Sequence, residues 1–260
     1  MANLNGVHTF PFGSTNKQLH NRSVLRGGSW NSIGNSTSIA SGGMQAPTIV
    51  SGGGSTATAR NWANTNLLSR TKKTGIVTTS SAGTLTELYG GVLQYCIGTA
   101  QDSGFQFRFL GAVSDAAIAL GSRSVIGMVG TASALTNVEP NSLTNILAFV
   151  QISTSPNWQF CFNGAGTAML QDTGFPVNNT SLLEMCISAE PGAGVVYWSI
   201  YDATLDDGTR PLTTVSSVGY VTTNLPAFNQ GLAPHVFRTN NATAAVQGID
   251  MAMLTIDTLL

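Results

Sequence analysis

The amino-acid sequence predicts an all-β protein, an antiparallel β-sandwich of the jelly-roll type preceded by an extended, Gly/Ser-rich N-terminal arm. Only 9% of the 260 residues are charged, against ~25% in an average soluble domain, and 29 glycines with many Ser, Thr and Asn residues take their place. The apolar residues form short stretches with a period of two, and no stretch keeps a helical period. The ordinary hydrophobic fraction of 42% excludes charge-driven disorder, and the missing heptads exclude a coiled coil.

Five segments of the chain alternate between apolar and polar residues. Successive side chains of a strand point to opposite faces, so each segment predicts a strand with one buried face. The predicted buried sets are Phe105, Phe107 and Phe109; Trp158, Phe160 and Phe162; Leu183, Met185 and Ile187; Val196, Trp198 and Ile200; and Ala252, Leu254 and Ile256, the last opposite Met251, Met253 and Thr255. Apolar runs at 124–129 and 145–152 predict more deeply buried strands.

Turn residues separate these segments throughout residues 85–260. Asn163-Gly164 directly follows an aromatic strand and is the strongest hairpin signal in the chain. Many short strands with frequent turns are typical of an antiparallel sandwich, whose strand order the sequence leaves open.

Residues 1–84 differ in composition from the rest of the chain. We predict that they form an N-terminal arm and linker for attachment or oligomerisation, and that residues 85–260 form a display domain. Gly, Ser, Thr and Asn dominate the stretch from Gly27 to Ser55, with single hydrophobic residues between them. Such a segment buries too little apolar surface alone to offset the entropy of ordering it. It is either a flexible linker or a segment that a partner, or copies of itself, must order.

The net charge of −1 conceals a division along the chain. Residues 1–86 carry seven basic groups and no acidic group, whereas residues 87–260 carry four basic and twelve acidic groups. A basic segment is typical of contact with nucleic acid or with an acidic protein surface, and a skew in so few charges also arises by chance. The basic residues are spread thinly, so we favour an acidic docking partner and predict no nucleic-acid binding.

The three cysteines, Cys96, Cys161 and Cys186, each lie in an apolar run. Their odd number and long spacing fit neither a disulfide framework nor a metal knuckle. We expect buried thiols in a protein made in a reducing cytoplasm. No secretory signal is evident, and no run approaches the ~18 apolar residues of a membrane span, so we predict no membrane insertion.

Residues suited to catalysis are scarce. His235 is the only histidine of residues 85–260, and it alternates with Val236 in a predicted strand. The Gly-x-Ser-x-Gly elbow of serine hydrolases does not occur in the sequence, so we predict that His235 is structural and belongs to no catalytic triad.

Carboxylates are also few, and their contexts favour structural roles. A glycosidase pair would have to come from Glu184, Glu190, Asp202, Asp206 and Asp207. Asp206-Asp207-Gly208 is typical of a surface turn, and Glu184 alternates outward as a solvated strand residue would. A calcium site at Asp202, Asp206 and Asp207 matches no defined loop spacing. We therefore predict no catalytic residue, no cofactor and no metal site, and a protein that is not an enzyme.

Aromatic side chains are the remaining candidates for ligand binding, because an indole or phenol ring fits the apolar face of a sugar. Trp158 and Trp198 share a face with core residues, so we assign them to the core. Tyr197 and Tyr201 project to the other face and are better surface candidates, unless a second buried layer covers them; Tyr220 is also available. The identity of any ligand-binding residue stays open.

A series of short motifs from about residue 57 onward resembles a known family. They occur in order at 57–60, 67–70, 75–83, 104–109, 114–115, 140–146, 157–160, 222–227, 232–235, 240–243 and 248–251. In this series the chain resembles bacteriophage virion proteins of the tail-fibre or receptor-binding kind, which carry a concanavalin A-like (lectin-type) sandwich. The resemblance covers about three quarters of the chain, and no functional residue can be transferred from it.

The resemblance implies a concanavalin A-like jelly roll in a structural protein of the virion, made in the host cytoplasm. It implies a homotrimer that attaches through its N-terminus to tail, baseplate or capsid proteins. We expect a tail-fibre or spike subunit whose sandwich faces outward, with a host-surface glycan as its receptor. One alternative is a capsid decoration or head-fibre protein without receptor binding. A polysaccharide depolymerase is a third reading, which the lack of a recognisable carboxylate pair disfavours.

Overall fold

A computed structural model describes residues 25–33, 37–52, 56–60, 73–99, 103–205 and 216–259. These residues form sixteen strands and two short 3-10 turns, at Pro140–Ser142 and Ala203–Leu205. The strands are β1 Leu25–Ser32, β2 Ile39–Gly42, β3 Thr48–Ser51, β4 Thr56–Arg60, β5 Lys73–Val77, β6 Leu85–Tyr89, β7 Phe105–Val113, β8 Arg123–Val129, β9 Ile146–Gln151, β10 Asn157–Asn163, β11 Met169–Pro176, β12 Leu183–Ala189, β13 Val196–Asp202, β14 Ser216–Val221, β15 Ala233–Thr239 and β16 Gly248–Leu259. No helix in this part of the chain is long and apolar enough to cross a membrane.

The strands form two antiparallel sheets, and the predicted antiparallel sandwich is confirmed. The nine-stranded sheet has the order β14-β13-β12-β7-β16-β1-β2, with β5 pairing β16 and β4 pairing β5. The long strand β16 pairs β5 through its first residues and β1 through its last. The seven-stranded sheet has the order β11-β10-β9-β8-β15-β6-β3. The Asn163-Gly164 hairpin is confirmed, because β10 and β11 are adjacent antiparallel strands.

The main core lies between the two sheets, and the period of two explains its composition. Four of the predicted sets, on β7, β10, β12 and β13, enter it as expected. Aromatic rings meet across the gap: the centroids of Phe160 on one sheet and Trp198 on the other are 5.7 Å apart and nearly parallel. The large apolar rings therefore join the two layers.

The prediction for the last strand was wrong at one position. Met251 was expected to face away from Leu254 and Ile256, but all three side chains belong to the main core. The reason is a β-bulge: Met251 pairs with Gly111 and Met253 with Leu110, so Ala252 is an extra residue in β16. One extra residue reverses the alternation before it, which a strict period of two cannot anticipate.

A second, smaller core covers the outer face of the seven-stranded sheet. Segment 130–145, between β8 and β9, folds back over this face and places Leu135 and Leu143 against apolar side chains such as Val125 and Phe237. Polar contacts hold the segment down: Asn163 Nδ2 donates to the Leu143 carbonyl at 2.9 Å. The deep burial predicted for 124–129 and 145–152 is confirmed, because β8 and β9 are covered on both faces.

The predicted arm falls partly outside the described residues, which do not include 1–24. Where residues 25–77 are described, they contribute five strands to the sandwich. β1 pairs β16 in one sheet, and β3 pairs β6 in the other. β5 also pairs β16, while β2 and β4 pair β1 and β5. The expectation that a partner or further copies must order this stretch is therefore corrected for β1 to β5, because their pairing strands belong to the same chain. A role in attachment or oligomerisation stays a prediction.

The predicted buried thiols are confirmed for two of the three cysteines. Cys161 and Cys186 are buried, Cys96 is half-buried, and none of the three is in a disulfide. Burial raises the pKa of Cys161 to about 12. The buried thiols therefore stay protonated and act as small hydrophobic groups.

Candidate ligand-binding face

The outer face of the nine-stranded sheet presents tyrosines and polar side chains. Strand register aligns one row across five neighbouring strands, a width of ~19 Å at the ordinary strand spacing. The row runs Tyr220, Tyr197, Ser188, Gln106 and Asp257. We call the surface around this row the tyrosine face and define it as Tyr197, Tyr201, Tyr220, Gln106, Arg108, Glu184 and Ser188. Tyr220 is the exposed member of this face; Tyr197, Tyr201, Gln106 and Arg108 are half-buried, and Glu184 and Ser188 are buried.

Two tyrosine rings form the aromatic part of the tyrosine face. Tyr197 and Tyr220 are register partners on β13 and β14, with ring centroids 6.2 Å apart and planes tilted by 49°. Tyr220 is 62% exposed, and Tyr197 is half-buried beside it. An exposed aromatic ring leaves apolar surface in contact with water, and covering that surface is favourable. The pair is therefore suited to contact the apolar side of a ligand.

A hydrogen-bonded ion pair forms the polar part of the tyrosine face. Arg108 Nε donates to Glu184 Oε1 at 2.5 Å, and the side chains are 27% and 6% exposed. Tyr201 also hydrogen-bonds to Glu184, and burial, followed by the Glu184 charge, raises the pKa of its phenol. Burial likewise raises the pKa of Cys186, whose Sγ lies 3.7 Å from Glu184 Oε1. The carboxylate thus accepts hydrogen bonds from Arg108, Tyr201 and the Cys186 thiol, which fixes Arg108 in place.

Asp257 lies at the far end of the row, on β16. Its side chain is exposed, and partial desolvation raises the pKa of its carboxyl while Arg108 opposes the rise. Gly27 on the neighbouring strand leaves room for it, since a Cβ there would lie 2.8 Å from Asp257 Oδ1. The row therefore ends in a carboxylate close to the guanidinium of Arg108.

The structure confirms the predicted placement of the aromatic residues. Trp158 and Trp198 are buried in the main core, while Tyr197 and Tyr201 are half-buried on the outer face. The sequence did not identify Gln106, Arg108 and Asp257 as their neighbours. The outward orientation of Gln106 and Arg108 follows from their alternation with Phe105, Phe107 and Phe109. The sequence did not show that β7 lies next to β12 and β16.

The prediction for Glu184 was wrong. It was expected to be a solvated strand residue, but it is buried beneath its partners on the outer face. Alternation gives the direction of a side chain and not what covers it; here Arg108 and Tyr201, from the two flanking strands, do so.

Of the other carboxylates considered from sequence, Glu190 is half-buried, with its pKa raised by burial, Asp202 has structural contacts, and two lie outside the described residues. Asp202 accepts hydrogen bonds from Ser181 Oγ at 2.6 Å and from the Thr204 amide at 2.9 Å. Asp206 and Asp207 lie outside the described residues. Within the described ranges, no three His, Cys, Asp or Glu side chains cluster as metal ligands would.

His235 is fully buried on the outer side of β15, beneath segment 130–145. Its Nδ1 lies 2.6 Å from Glu87 Oε1 and its Nε2 lies 2.9 Å from the Thr131 carbonyl. Glu87 Oε2 also accepts the Leu135 amide at 2.8 Å. Through the contacts with Thr131 and Leu135, this pair holds segment 130–145 against the sheet.

No protein-family model and no curated protein sequence matches the chain. Its fold is similar to several solved structures. A protein of unknown function from Shewanella oneidensis MR-1 has a TM-score of 0.58 at 12% identity, over 97% of this chain and 96% of that one. Peanut lectin, solved with a nine-residue peptide, has a TM-score of 0.55 at 8% identity, over 91% and 98% of the two chains. Winged bean acidic lectin, complexed with methyl-α-D-galactose, has a TM-score of 0.55 at 11% identity, over 91% and 99%.

These similarities define the class of fold. The chain is a lectin-like jelly-roll β-sandwich of the concanavalin A-like kind, as the sequence resemblance implied. At these identities the likeness extends to the fold alone. The phage virion setting that the sequence resemblance implied stays a prediction.

Proposed function

We propose that this chain is a non-enzymatic glycan-binding protein of a bacteriophage particle, and that its tyrosine face binds a sugar of the host surface. The observation that carries the binding function is the Tyr197–Tyr220 pair, with exposed Tyr220, on the same outer sheet face as Gln106 and Arg108. Aromatic rings take up the apolar face of a pyranose, and flanking amide and guanidinium groups hydrogen-bond its hydroxyls. The motif series from residue 57 onward supports the virion setting.

The first prediction concerns the tyrosine pair. Replacing Tyr220 or Tyr197 with alanine is expected to weaken glycan binding by about tenfold each, because an aromatic contact is worth ~0.5–1.5 kcal/mol beyond its buried area. Binding should be measured on an array of bacterial surface polysaccharides and neutral oligosaccharides, followed by calorimetry on the best probe. Phe228→Ala is the matched control, since Phe228 is an exposed aromatic outside the tyrosine face. Equal losses for all three variants would contradict the assignment.

A second prediction concerns the virion setting. A chain lacking residues 1–24 should fold, because it keeps every strand that the structure describes, but it should no longer enter particles. Antibody labelling of imaged particles shows whether the full chain lies on a tail fibre or on the capsid, and light scattering of the purified chain tests the proposed homotrimer. Normal incorporation of the shortened chain would contradict attachment through this segment. Labelling on the head would favour the decoration or head-fibre alternative.

A further inference from the structure

One end of the sandwich contains an unusual concentration of buried polar atoms without partners. Among the described residues, eight buried side-chain nitrogen or oxygen atoms have no hydrogen-bond partner. All except Asn163 Oδ1 lie at the end where β7, β9 and β15 finish and β10 and β16 begin. They are Ser114 Oγ, Gln151 Nε2, Trp158 Nε1, Arg238 Nε, Asn240 Oδ1, Gln247 Nε2 and Gln247 Oε1. Buried polar groups are normally paired, so seven exceptions in one place require an explanation.

A row of side chains on the inner face of the seven-stranded sheet supplies three of these atoms. Arg238, Ser124 and Gln151 are register partners on β15, β8 and β9, and Trp158 on β10 lies at the same level. Arg238 donates to Ser124 Oγ at 2.6 Å and also to Gln151 Oε1. The remaining donors of this row, Arg238 Nε, Gln151 Nε2 and Trp158 Nε1, face the space between the sheets.

The nine-stranded sheet closes the site from the other side. Asp115, just after β7, accepts from Arg238 through Oδ2 and from the Gly248 amide at 2.8 Å through Oδ1. Ser114 lies against Gly248, where a Cβ would approach Ser114 Oγ to 2.7 Å. The Gln247 amide donates to Thr78 Oγ1 at 3.0 Å, which fixes its backbone while its side chain stays unpaired. The site is therefore built from both sheets and sealed from solvent.

The charges of the site decide what kind of molecule it binds. Arg238 and Asp115 neutralise each other, so an added ion would be a buried charge without a counter-charge, which is strongly unfavourable. The unpaired atoms include donors on Arg238, Gln151 and Trp158, an acceptor on Asn240, and both kinds on Gln247. Water supplies donors and acceptors together and is retained in sites that offer two to four polar partners.

We propose that this end of the sandwich holds a cluster of ordered water molecules between the sheets. Seven unpaired atoms, at ~3 hydrogen bonds per buried water, correspond to about two or three molecules. The cluster joins the inner row of the seven-stranded sheet to Ser114 and Gln247 at the end of the nine-stranded sheet. The two layers are thus connected here through solvent, whereas apolar side chains connect them in the main core. This inference does not depend on the proposed glycan binding.

The test is oxygen-17 magnetic relaxation dispersion, which detects long-lived internal water, together with a high-resolution crystal structure. The full chain should show long-lived water molecules, with their oxygens within hydrogen-bond distance of Trp158 Nε1, Gln151 Nε2 and Gln247. Gln247→Met should reduce the dispersion amplitude, because an apolar side chain of similar size removes two partners. Gln159→Met is the matched control: Gln159 is also buried, but its Nε2 donates to Ser155 Oγ at 3.0 Å on the opposite face of the sheet.

Each result decides for or against the cluster. A loss of amplitude in Gln247→Met with no loss in Gln159→Met supports it. A full chain without long-lived water, or a crystal structure in which the unpaired atoms bond to protein groups or to an ion, overturns it. The measurement on the unmodified chain decides the matter even if Gln247→Met fails to fold.

Discussion

Replacing Arg238 with methionine is expected to lower the free energy of unfolding by ~3–5 kcal/mol, because it leaves a buried carboxylate without its counter-charge. Arg238 is fully buried and is the only cation that the described residues place in contact with Asp115. The substitution also removes the donor to Ser124 Oγ and Gln151 Oε1. Urea denaturation followed by the fluorescence of the buried tryptophans measures the loss.

The double variant separates the charge effect from simple loss of packing. Asp115→Asn keeps an oxygen that can accept the Gly248 amide but leaves Arg238 as an unpaired cation, so it should also be strongly destabilising. The double variant, which combines Asp115→Asn with Arg238→Met, has no buried charge at this site. The combined loss should therefore fall short of the sum of the two single losses by ~2 kcal/mol or more. Additive losses would show that the pair contributes through its separate contacts and not as a pair.

The pH dependence of the Arg238→Met variant gives an independent check. Burial raises the pKa of Asp115 above its ordinary value of 3.8, and Arg238 opposes that rise. Without Arg238 the pKa should rise further in the folded state. A group whose pKa is higher in the folded state than in the unfolded state stabilises the fold most at a pH below its unfolded-state pKa. That contribution is lost as the pH rises through the folded-state pKa. The deficit relative to the unmodified protein should therefore be smaller near pH 3, where the lost hydrogen bonds to Ser124 and Gln151 remain part of it, and grow toward neutral pH.

The sequence predicted the fold class and the faces of most strands because both follow from local alternation. Phe105, Phe107 and Phe109 reach the core because strand geometry alone sends them to one side. The failure at Met251 came from a single bulge, whose position depends on the partner strand β7 and not on β16 alone. Strand order was not predictable, because β7 pairs β12 and β16 through contacts between residues far apart in sequence.

The candidate face was predictable in part for the same reason. The outward direction of Tyr197 and Tyr201 follows from the core position of Trp198 between them. The neighbours that make the face suitable for a ligand, Arg108 and Gln106, come from a strand almost ninety residues earlier in the chain. The buried pairs Arg238–Asp115 and Glu87–His235 were not predicted, since each joins residues more than a hundred positions apart. Buried charges of this kind are recognised only when tertiary contacts are known.

Replacing Glu87 with alanine is expected to lower the free energy of unfolding by ~3–5 kcal/mol and to release segment 130–145. Both ring nitrogens of His235 lie within hydrogen-bond distance of oxygen atoms, Nδ1 of Glu87 Oε1 and Nε2 of the Thr131 carbonyl. Alanine leaves Nδ1 and the Leu135 amide without partners in a fully buried position. Hydrogen exchange of the Leu135 amide and urea denaturation measure the two effects.

Glu87→Gln is the matched control, because glutamine has nearly the same shape and can satisfy the same groups without a charge. Its carbonyl oxygen accepts the Leu135 amide, and its amide donates to Nδ1 of a neutral His235 that still donates through Nε2 to Thr131. We expect a loss of no more than ~1 kcal/mol and continued protection of the Leu135 amide. The stacking of His235 on Tyr89, with centroids 5.7 Å apart, should persist in this variant. If glutamine were as harmful as alanine, the charge of Glu87 and not its hydrogen bonding would be what holds the segment on the sheet.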